Sequence, residues 1–398
     1  MTKIILKKGR EESLRRFHPW VFSGAIAQVV GQPAEGDVVG VFAHDGSFLA
    51  CGHYQIGSIA VRVLSFSGED VQSPGFWSTM IERAFAVREA AGLTDGEGTN
   101  CFRLVHGEGD GLPGLIIDWY DGVCVIQAHS VGMFRSKGAI CDALKTVFGD
   151  RLKAVYDKSS GTAPFKAGLD LVDGYLFKAD GFNDDEQVVL ENGNKFLVNW
   201  TEGQKTGFFL DQRENRALVG KYSRGRKVLN LFCYTGGFSV YALNNGAVHV
   251  DSVDSSRKAM DMVGRNMDLN GFDPSVHGEY CADAIEFLRD VPEDKYDLMI
   301  VDPPAFAKHR GALGNALRAY QRLNAAAISK VAPGGLVFTF SCSQVVDKEA
   351  FALAVFSAAA QTGRSVRILD RLNQPADHAV NIYHPEGEYL KGLLLYVE

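Results

Sequence analysis

The chain has 398 residues, 46% hydrophobic and 22% charged, with a formal net charge of −7. That length and balance predict two or three globular domains, exclude a membrane span of ~20 apolar residues, and leave nucleic-acid binding only to a local basic surface. Seven scattered cysteines without a Cys-x-x-Cys pair argue against a disulfide framework or zinc site and for a reducing cytoplasm, and the first ten residues lack the apolar core of a signal peptide.

A basic surface opens the chain. Lys3, Lys7, Lys8, Arg10, Arg15 and Arg16 crowd the first sixteen positions, against only Glu11 and Glu12. His18-Pro19-Trp20-Val21-Phe22 follows. Alternating runs then cover Asp37 to Phe42, Phe48 to Tyr54 and Ala60 to Phe66, separated by Asp45-Gly46 and Gly57-Ser58. Short strands at this spacing predict a small β barrel. By charge alone the basic cluster reads as a solvated face. The Lys-Gly-Arg and His-Pro-Trp-Val-Phe stretches, however, make residues 1–70 resemble a PUA domain, an RNA-binding module. The resemblance implies RNA contacts from Lys7, Lys8, Arg10, Arg15 and Arg16.

Residues 71–190 read as a central α+β domain. Phe76 to Ala91 and Met133 to Phe148 have helical spacing. Leu112 to Asp118 and Val123 to Gln127 flank Asp121-Gly122, which predicts a hairpin with an Asp-Gly turn. A short strand follows at Ala154 to Tyr156. The glycine-rich stretch Gly107-Glu108-Gly109-Asp110-Gly111-Leu112-Pro113-Gly114 has no lysine or hydroxyl placed for phosphates, so it is expected to be a structural loop with His106 structural beside it.

From residue 191 a different pattern begins. Thr206-Gly207-Phe208-Phe209-Leu210-Asp211-Gln212-Arg213 suggests a strand and then a helix capped by Asp211. Val228 to Phe232 is an apolar run suited to a strand buried on both faces. It breaks into Tyr234-Thr235-Gly236-Gly237, and a helix starts near Phe238. Both glycines are expected to allow positive φ and close approach of a ligand. Neither a dinucleotide fingerprint nor a phosphate-binding loop fits this turn. Val248 to Val253 ends in Asp254-Ser255, an acid about 20 residues past the turn, placed for ribose hydroxyls. Glu279 to Ala282 leads to Asp283, which opens a helix at Ala284. Tyr296 to Val301 ends in Asp302-Pro303-Pro304-Ala305-Phe306, and Leu336 to Phe340 ends in Ser341-Cys342-Ser343. Each run thus delivers polar residues at its carboxyl end, where an open α/β sheet keeps its crevice.

This constellation resembles the class I S-adenosylmethionine-dependent methyltransferases, and residues 191–398 are similar to the RlmI-type 5-methylcytosine rRNA methyltransferases. The likeness extends to Ala376-Asp377-His378 and Pro385-Glu386-Gly387-Glu388-Tyr389-Leu390-Lys391-Gly392. It implies an α/β protein: a Rossmann-like methyltransferase domain at 191–398, preceded by the PUA barrel and the central domain. It implies S-adenosylmethionine held by Asp211, Gln212, Tyr234, Thr235, Gly236, Gly237, Asp254, Ser255, Asp283, Ala284 and Asp302. The amino-acid end is expected along the glycine turn, the ribose on Asp254 and the adenine amino group on Asp283, for which a plain N-cap is the competing reading.

Cytosine C5 is a poor nucleophile until a thiolate adds to C6, so the chemistry needs a cysteine. Cys342 is the expected nucleophile and Asp302 the group at cytosine N3, with the Pro-Pro backbone turning carbonyls toward the exocyclic amine. Some relatives in this chemistry carry a second cysteine beside the Asp-Pro loop, where this chain has Ala305. Cys233 and Cys281 are expected to pack. The expected partner is 23S rRNA or a large-subunit assembly intermediate, with no metal and no membrane; a homodimer is open. Two other readings stay open: N-methylation of a guanine or adenine, which has no need of Cys342, and a non-catalytic RNA-binding protein, which has no need of the cofactor loops.

Overall fold

The computed structural model describes residues 2–164 and 167–398. They form two compact units. One comprises residues up to Val189, Val198–Leu210 and Ala376–Gly387; the other comprises Leu190–Leu197, Asp211–Pro375 and Glu388–Glu398.

The first unit begins with β1 (Thr2–Leu6), α1 (Glu12–Arg15), β2 (Trp20–Phe22), β3 (Ile26–Val30), β4 (Val38–Phe42), β5 (Phe48–Tyr54) and β6 (Ile59–Ser65). The six strands form a half-barrel sheet in the order β2-β6-β5-β4-β1-β3, with only β1 and β4 parallel. Ile4, Leu6, Leu14, Val39, Val41, Val61 and Val63 fill it. Lys7, Lys8, Arg10, Arg15 and Arg16 are all exposed.

The chain continues through α2 (Pro74–Ala90), β7 (Cys101–His106), β8 (Leu115–Tyr120), β9 (Val123–Ala128), α3 (Val131–Phe148), β10 (Ala154–Asp157) and β11 (Gly174–Lys178). Ser73 caps α2 and Pro74 occupies its first turn; Ser130 caps α3. The sheet order is β11-β10-β9-β8-β7. Asp121 (φ 43) and Gly122 (φ 94) make the expected turn, since a two-residue hairpin loop of this kind needs two positive φ values.

The glycine-rich stretch is structural, as expected. Fully buried Arg88 pairs bidentately with Asp110 and donates to the carbonyls of Arg103 and Asp377 at 2.6 Å each. A Cβ on Gly109 would lie 1.9 Å from the Ala379 carbonyl oxygen. These contacts hold the Ala376–Gly387 segment in the first unit. Trp20 donates its indole N–H to Glu108 of the same stretch at 2.8 Å. His106 sits 5.1 Å from His378, ring to ring, and burial, with His378 and Arg103 beside it, pushes its imidazole well below the ordinary value.

β12 (Glu186–Glu191) and β13 (Asn194–Asn199) form a hairpin at the division between units. The second unit then runs α4 (Arg213–Ser223), β14 (Lys227–Leu231), α5 (Gly237–Asn244), β15 (His249–Asp254), α6 (Arg257–Leu269), β16 (His277–Cys281), α7 (Ala284–Asp290), β17 (Tyr296–Val301), α8 (Leu313–Lys330), β18 (Val331–Ser341), α9 (Lys348–Thr362), β19 (Val366–Asn373) and β20 (Lys391–Val397). The sheet order is β16-β15-β14-β17-β18-β20-β19. The first five are parallel and β20 is antiparallel to both neighbours. The order reverses direction between β14 and β17, and ligands of such sheets bind outside the carboxyl ends there.

Residues 228–231 of β14 are buried on both faces, which is why this strand reads as a continuous apolar run. Its one polar member, Asn230, donates to Ser239 at 2.9 Å, and Ser239, Ser252 and the His277 ring continue the buried chain at 2.7 and 2.8 Å. The network joins β14, α5, β15 and β16 behind the glycine turn.

Candidate active site

The turn after β14 stores backbone strain. Phe232 (φ 59) and Tyr234 (φ 48) are left-handed although neither is glycine, and Gly236 follows at φ 81. Each non-glycine residue there costs roughly 1–3 kcal/mol, a level found where a binding loop is held by its surroundings. Gly236 meets the expectation of positive φ. Gly237 corrects it: this residue is the first of α5, and its missing side chain makes room for Arg216, whose Cδ would lie 3.0 Å from a Cβ. Arg216 in turn forks onto Glu191 with two bonds of 2.7 Å, and Tyr241 of α5 donates to the same carboxylate at 3.0 Å. A buried acid therefore fixes α4 against the start of α5.

Asp254 ends β15 and reaches back to the turn. Its Oδ2 accepts from the Tyr234 amide at 3.0 Å and its Oδ1 from the Ser256 amide at 2.9 Å. A carboxylate offers about four acceptor sites, so these bonds leave capacity for ribose hydroxyls. Buried Thr235 accepts on its carbonyl from Asn266 at 2.9 Å. Ser255 accepts on its carbonyl from the partly exposed Cys281 thiol at 3.6 Å, and the buried Cys233 thiol packs 3.7 Å from the Met260 sulfur, as expected of Cys233. Asp283 caps α7: its Oδ1 accepts from Ile285 and Glu286 at 2.9 and 3.0 Å, and Ala284 is buried behind it. The cap uses one oxygen and the residue is exposed.

Asp211 is not the cap of α4. Gln212 stands at that position without a side-chain cap bond, because a 3-10 turn at Leu210–Gln212 carries Asp211 one step away to accept from the Tyr389 hydroxyl at 2.6 Å. Gln212 donates its side-chain amide to Asp302 at 2.9 Å, and its Oε1 accepts from the Asn215 side chain at 2.6 Å. Thr206, from the same sequence stretch, is buried in the first unit, bonded to Asp118 at 2.6 Å.

Acceptors and a strained glycine turn at three adjacent strand ends fit a nucleoside bearing an amino-acid arm. Replacing Asp254 by alanine is expected to weaken S-adenosylmethionine binding by about 1–3 kcal/mol, through loss of a charged acceptor. Titration calorimetry checks this; unchanged affinity in a folded variant would place the ribose elsewhere.

Asp302 and Cys342 follow directly on β17 and β18, which are hydrogen-bonded neighbours with Val301 opposite Thr339. The two loops are tied together, because the Ser343 hydroxyl donates to the Ala307 carbonyl at 2.7 Å. Ser341 donates to the Tyr320 hydroxyl at 2.9 Å, and the Phe306 ring packs 4.8 Å from the Tyr320 ring. Burial pushes the Tyr320 phenol up to about 12. Both Asp302 and Cys342 are partly exposed.

Sequence reasoning missed Lys391 as a member of this site. It opens β20 opposite Ser341, is buried, and donates to the carbonyls of Ser343 and Val346 at 2.6 Å each. A charged residue at the head of the apolar run Gly392 to Val397 was the available signal. Tyr320 gave none, as one aromatic on a helix of apolar spacing.

Residues 168–394 match the S-adenosylmethionine-dependent methyltransferase family, and residues 4–66 match a PUA-like domain. A ribosomal RNA large subunit methyltransferase I of Aeromonas hydrophila is 41% identical over 99% of both chains, and that of Aeromonas salmonicida is 40% identical over 98% of both. Among solved structures, SMU.776 complexed with SAH shares the fold over 100% of both chains, with a TM-score of 0.85 at 22% identity. The chain thus belongs to the S-adenosylmethionine-dependent methyltransferases, with that molecule as cofactor, and among them to the ribosomal RNA large subunit methyltransferase I family.

Proposed function

We propose that this enzyme methylates C5 of a cytosine in 23S rRNA through a covalent bond between Cys342 and C6 of the base. The observation that carries the reading is the pairing of Cys342 with Asp302 at the ends of neighbouring strands, with Ser343 bonded to the Asp302 loop at 2.7 Å. The name borne by the relatives supports large-subunit rRNA as substrate. So does the PUA-like domain, with Lys7, Lys8, Arg10, Arg15 and Arg16 exposed for phosphate contacts.

Bound S-adenosylmethionine brings an electrophilic methyl group on sulfur. The residues of this chain do the rest. The Cys342 thiolate adds to C6, forming a carbon–sulfur bond and moving ring electrons toward N3. Asp302, oriented by Gln212 at 2.9 Å, gives N3 a proton as the adduct forms and takes it back as the adduct collapses. C5 is then enamine-like and takes the methyl group. The C5 proton leaves to a base, the carbon–sulfur bond breaks, and Cys342 departs as thiolate. An amino nitrogen already carries a lone pair, so N-methylation of a purine would use the Asp302 loop and leave Cys342 idle.

The test is nucleoside mass spectrometry on 23S rRNA from a strain lacking the gene, before and after incubation with the protein and S-adenosylmethionine. One 5-methylcytidine is expected to appear on incubation. Appearance of an N-methylated purine instead would overturn the cytosine reading.

A further inference from the structure

We propose that Lys391 is a positioning residue for the Cys342 nucleophile: its buried ammonium fixes the loop that carries the thiol and provides the positive field in which the thiolate forms. The proposal rests on the reading of Cys342 as nucleophile. Its observations are geometric. Cys342 sits between Ser341, which is paired with Lys391 across β18 and β20, and Ser343, whose carbonyl accepts from Lys391 at 2.6 Å. A second bond of 2.6 Å reaches the Val346 carbonyl, so one ammonium closes both ends of the 343–346 turn. The turn is held from its other side by the Ser343 hydroxyl on Ala307.

Two carbonyls would be satisfied by any buried donor, and a neutral amide would do so without the desolvation of a charge. A lysine here therefore asks for an anion nearby. The groups whose charge acts on the ammonium are Cys342, Asp347 and Glu388, opposed by Lys348; those whose charge acts on Tyr320 are Cys342 and Asp302. Asp347 is engaged as the cap of α9, accepting from Ala350 at 2.7 Å, and Glu388 is paired with Lys348. Cys342 is the group among them that turns anionic in the reaction. Burial brings Lys391 down to about 8, so it remains mostly protonated at neutral pH. A cation beside a thiol stabilises the thiolate and lowers the pH at which it forms.

The experiment is the pH dependence of Cys342 alkylation by iodoacetamide, read peptide by peptide in a mass spectrometer. It uses the full-length wild type, Lys391→Met, Lys391→Gln and Lys391→Arg, each first checked for S-adenosylmethionine binding. The midpoint should rise by about one pH unit or more in the Met and Gln variants and stay near wild type in the Arg variant. Gln retains a donor for the carbonyls, so it separates loss of charge from loss of the clamp. A clamp without electrostatic effect would change alkylation by the same factor at every pH and leave all midpoints equal, which overturns the proposal. Should the uncharged variants fail to fold, the wild type decides alone: its midpoint must lie below the ~8.5 of an ordinary thiol. Failure of the nucleophile reading looks different, since methylation retained by Cys342→Ala would reject it whatever the midpoints show.

Discussion

Cys342→Ala should lower methylation by roughly 10³-fold or more while S-adenosylmethionine still binds. The residues assigned to the cofactor precede α4 or lie at or after the ends of β14, β15, β16 and, for Asp302 alone, β17, whereas Cys342 follows β18. The side chain is partly exposed, so its truncation removes little packing and stability should change by less than about 1 kcal/mol. Serine should fare no better, because an alkoxide forms far less readily than a thiolate. Initial rates with labelled cofactor and titration calorimetry on the same preparation separate the two effects. Near-normal turnover in Cys342→Ala would remove the nucleophile and turn the Asp302 loop toward N-methylation.

The second large effect is on stability. Glu191 is fully buried and takes two bonds of 2.7 Å from Arg216, an ion pair of 3.5 Å with Arg213 and a bond of 3.0 Å from Tyr241. Glu191→Ala would leave two guanidinium groups buried without their anion, and breaking such a pair costs about 3–5 kcal/mol. In a unit of this size that corresponds to a fall in melting temperature of roughly 10 °C. Cofactor affinity should fall with it, because Arg216 underlies Gly237 at the start of α5. A loss under about 2 °C would show that the neighbourhood rehydrates or repacks, and the network would not be what braces the turn.

The pattern of these residues was partly open to reading in advance. Parallel strands buried on both faces are rich in apolar residues, so β14 and β17 were visible as runs, and Asp254 and Asp302 as the acids that close β15 and follow β17. Asp121-Gly122 was visible because few other pairs accept two positive φ values. Phe232 and Tyr234 were not, since left-handed backbone at an aromatic is imposed by its surroundings and has no local signal. Asp211 has the chemistry of a cap but is displaced by a 3-10 turn, a shift of one residue that propensity does not resolve. Lys391 lies far from Cys342 along the chain and reaches it only through the antiparallel pairing of β20 with β18. The return of Ala376–Gly387 to the first unit depends likewise on Arg88 and Gly109, which meet it only in the folded chain.

The central claim is the covalent bond between Cys342 and a cytosine, and trapping that bond tests it most directly. Target RNA carrying 5-fluorocytosine has no C5 proton to surrender, so the reaction should stop after methyl transfer with the carbon–sulfur bond intact. With S-adenosylmethionine present, wild-type protein should migrate on a denaturing gel as an RNA adduct, and Cys342→Ala should give none. Free protein from a preparation that methylates unmodified RNA at its normal rate would contradict the account.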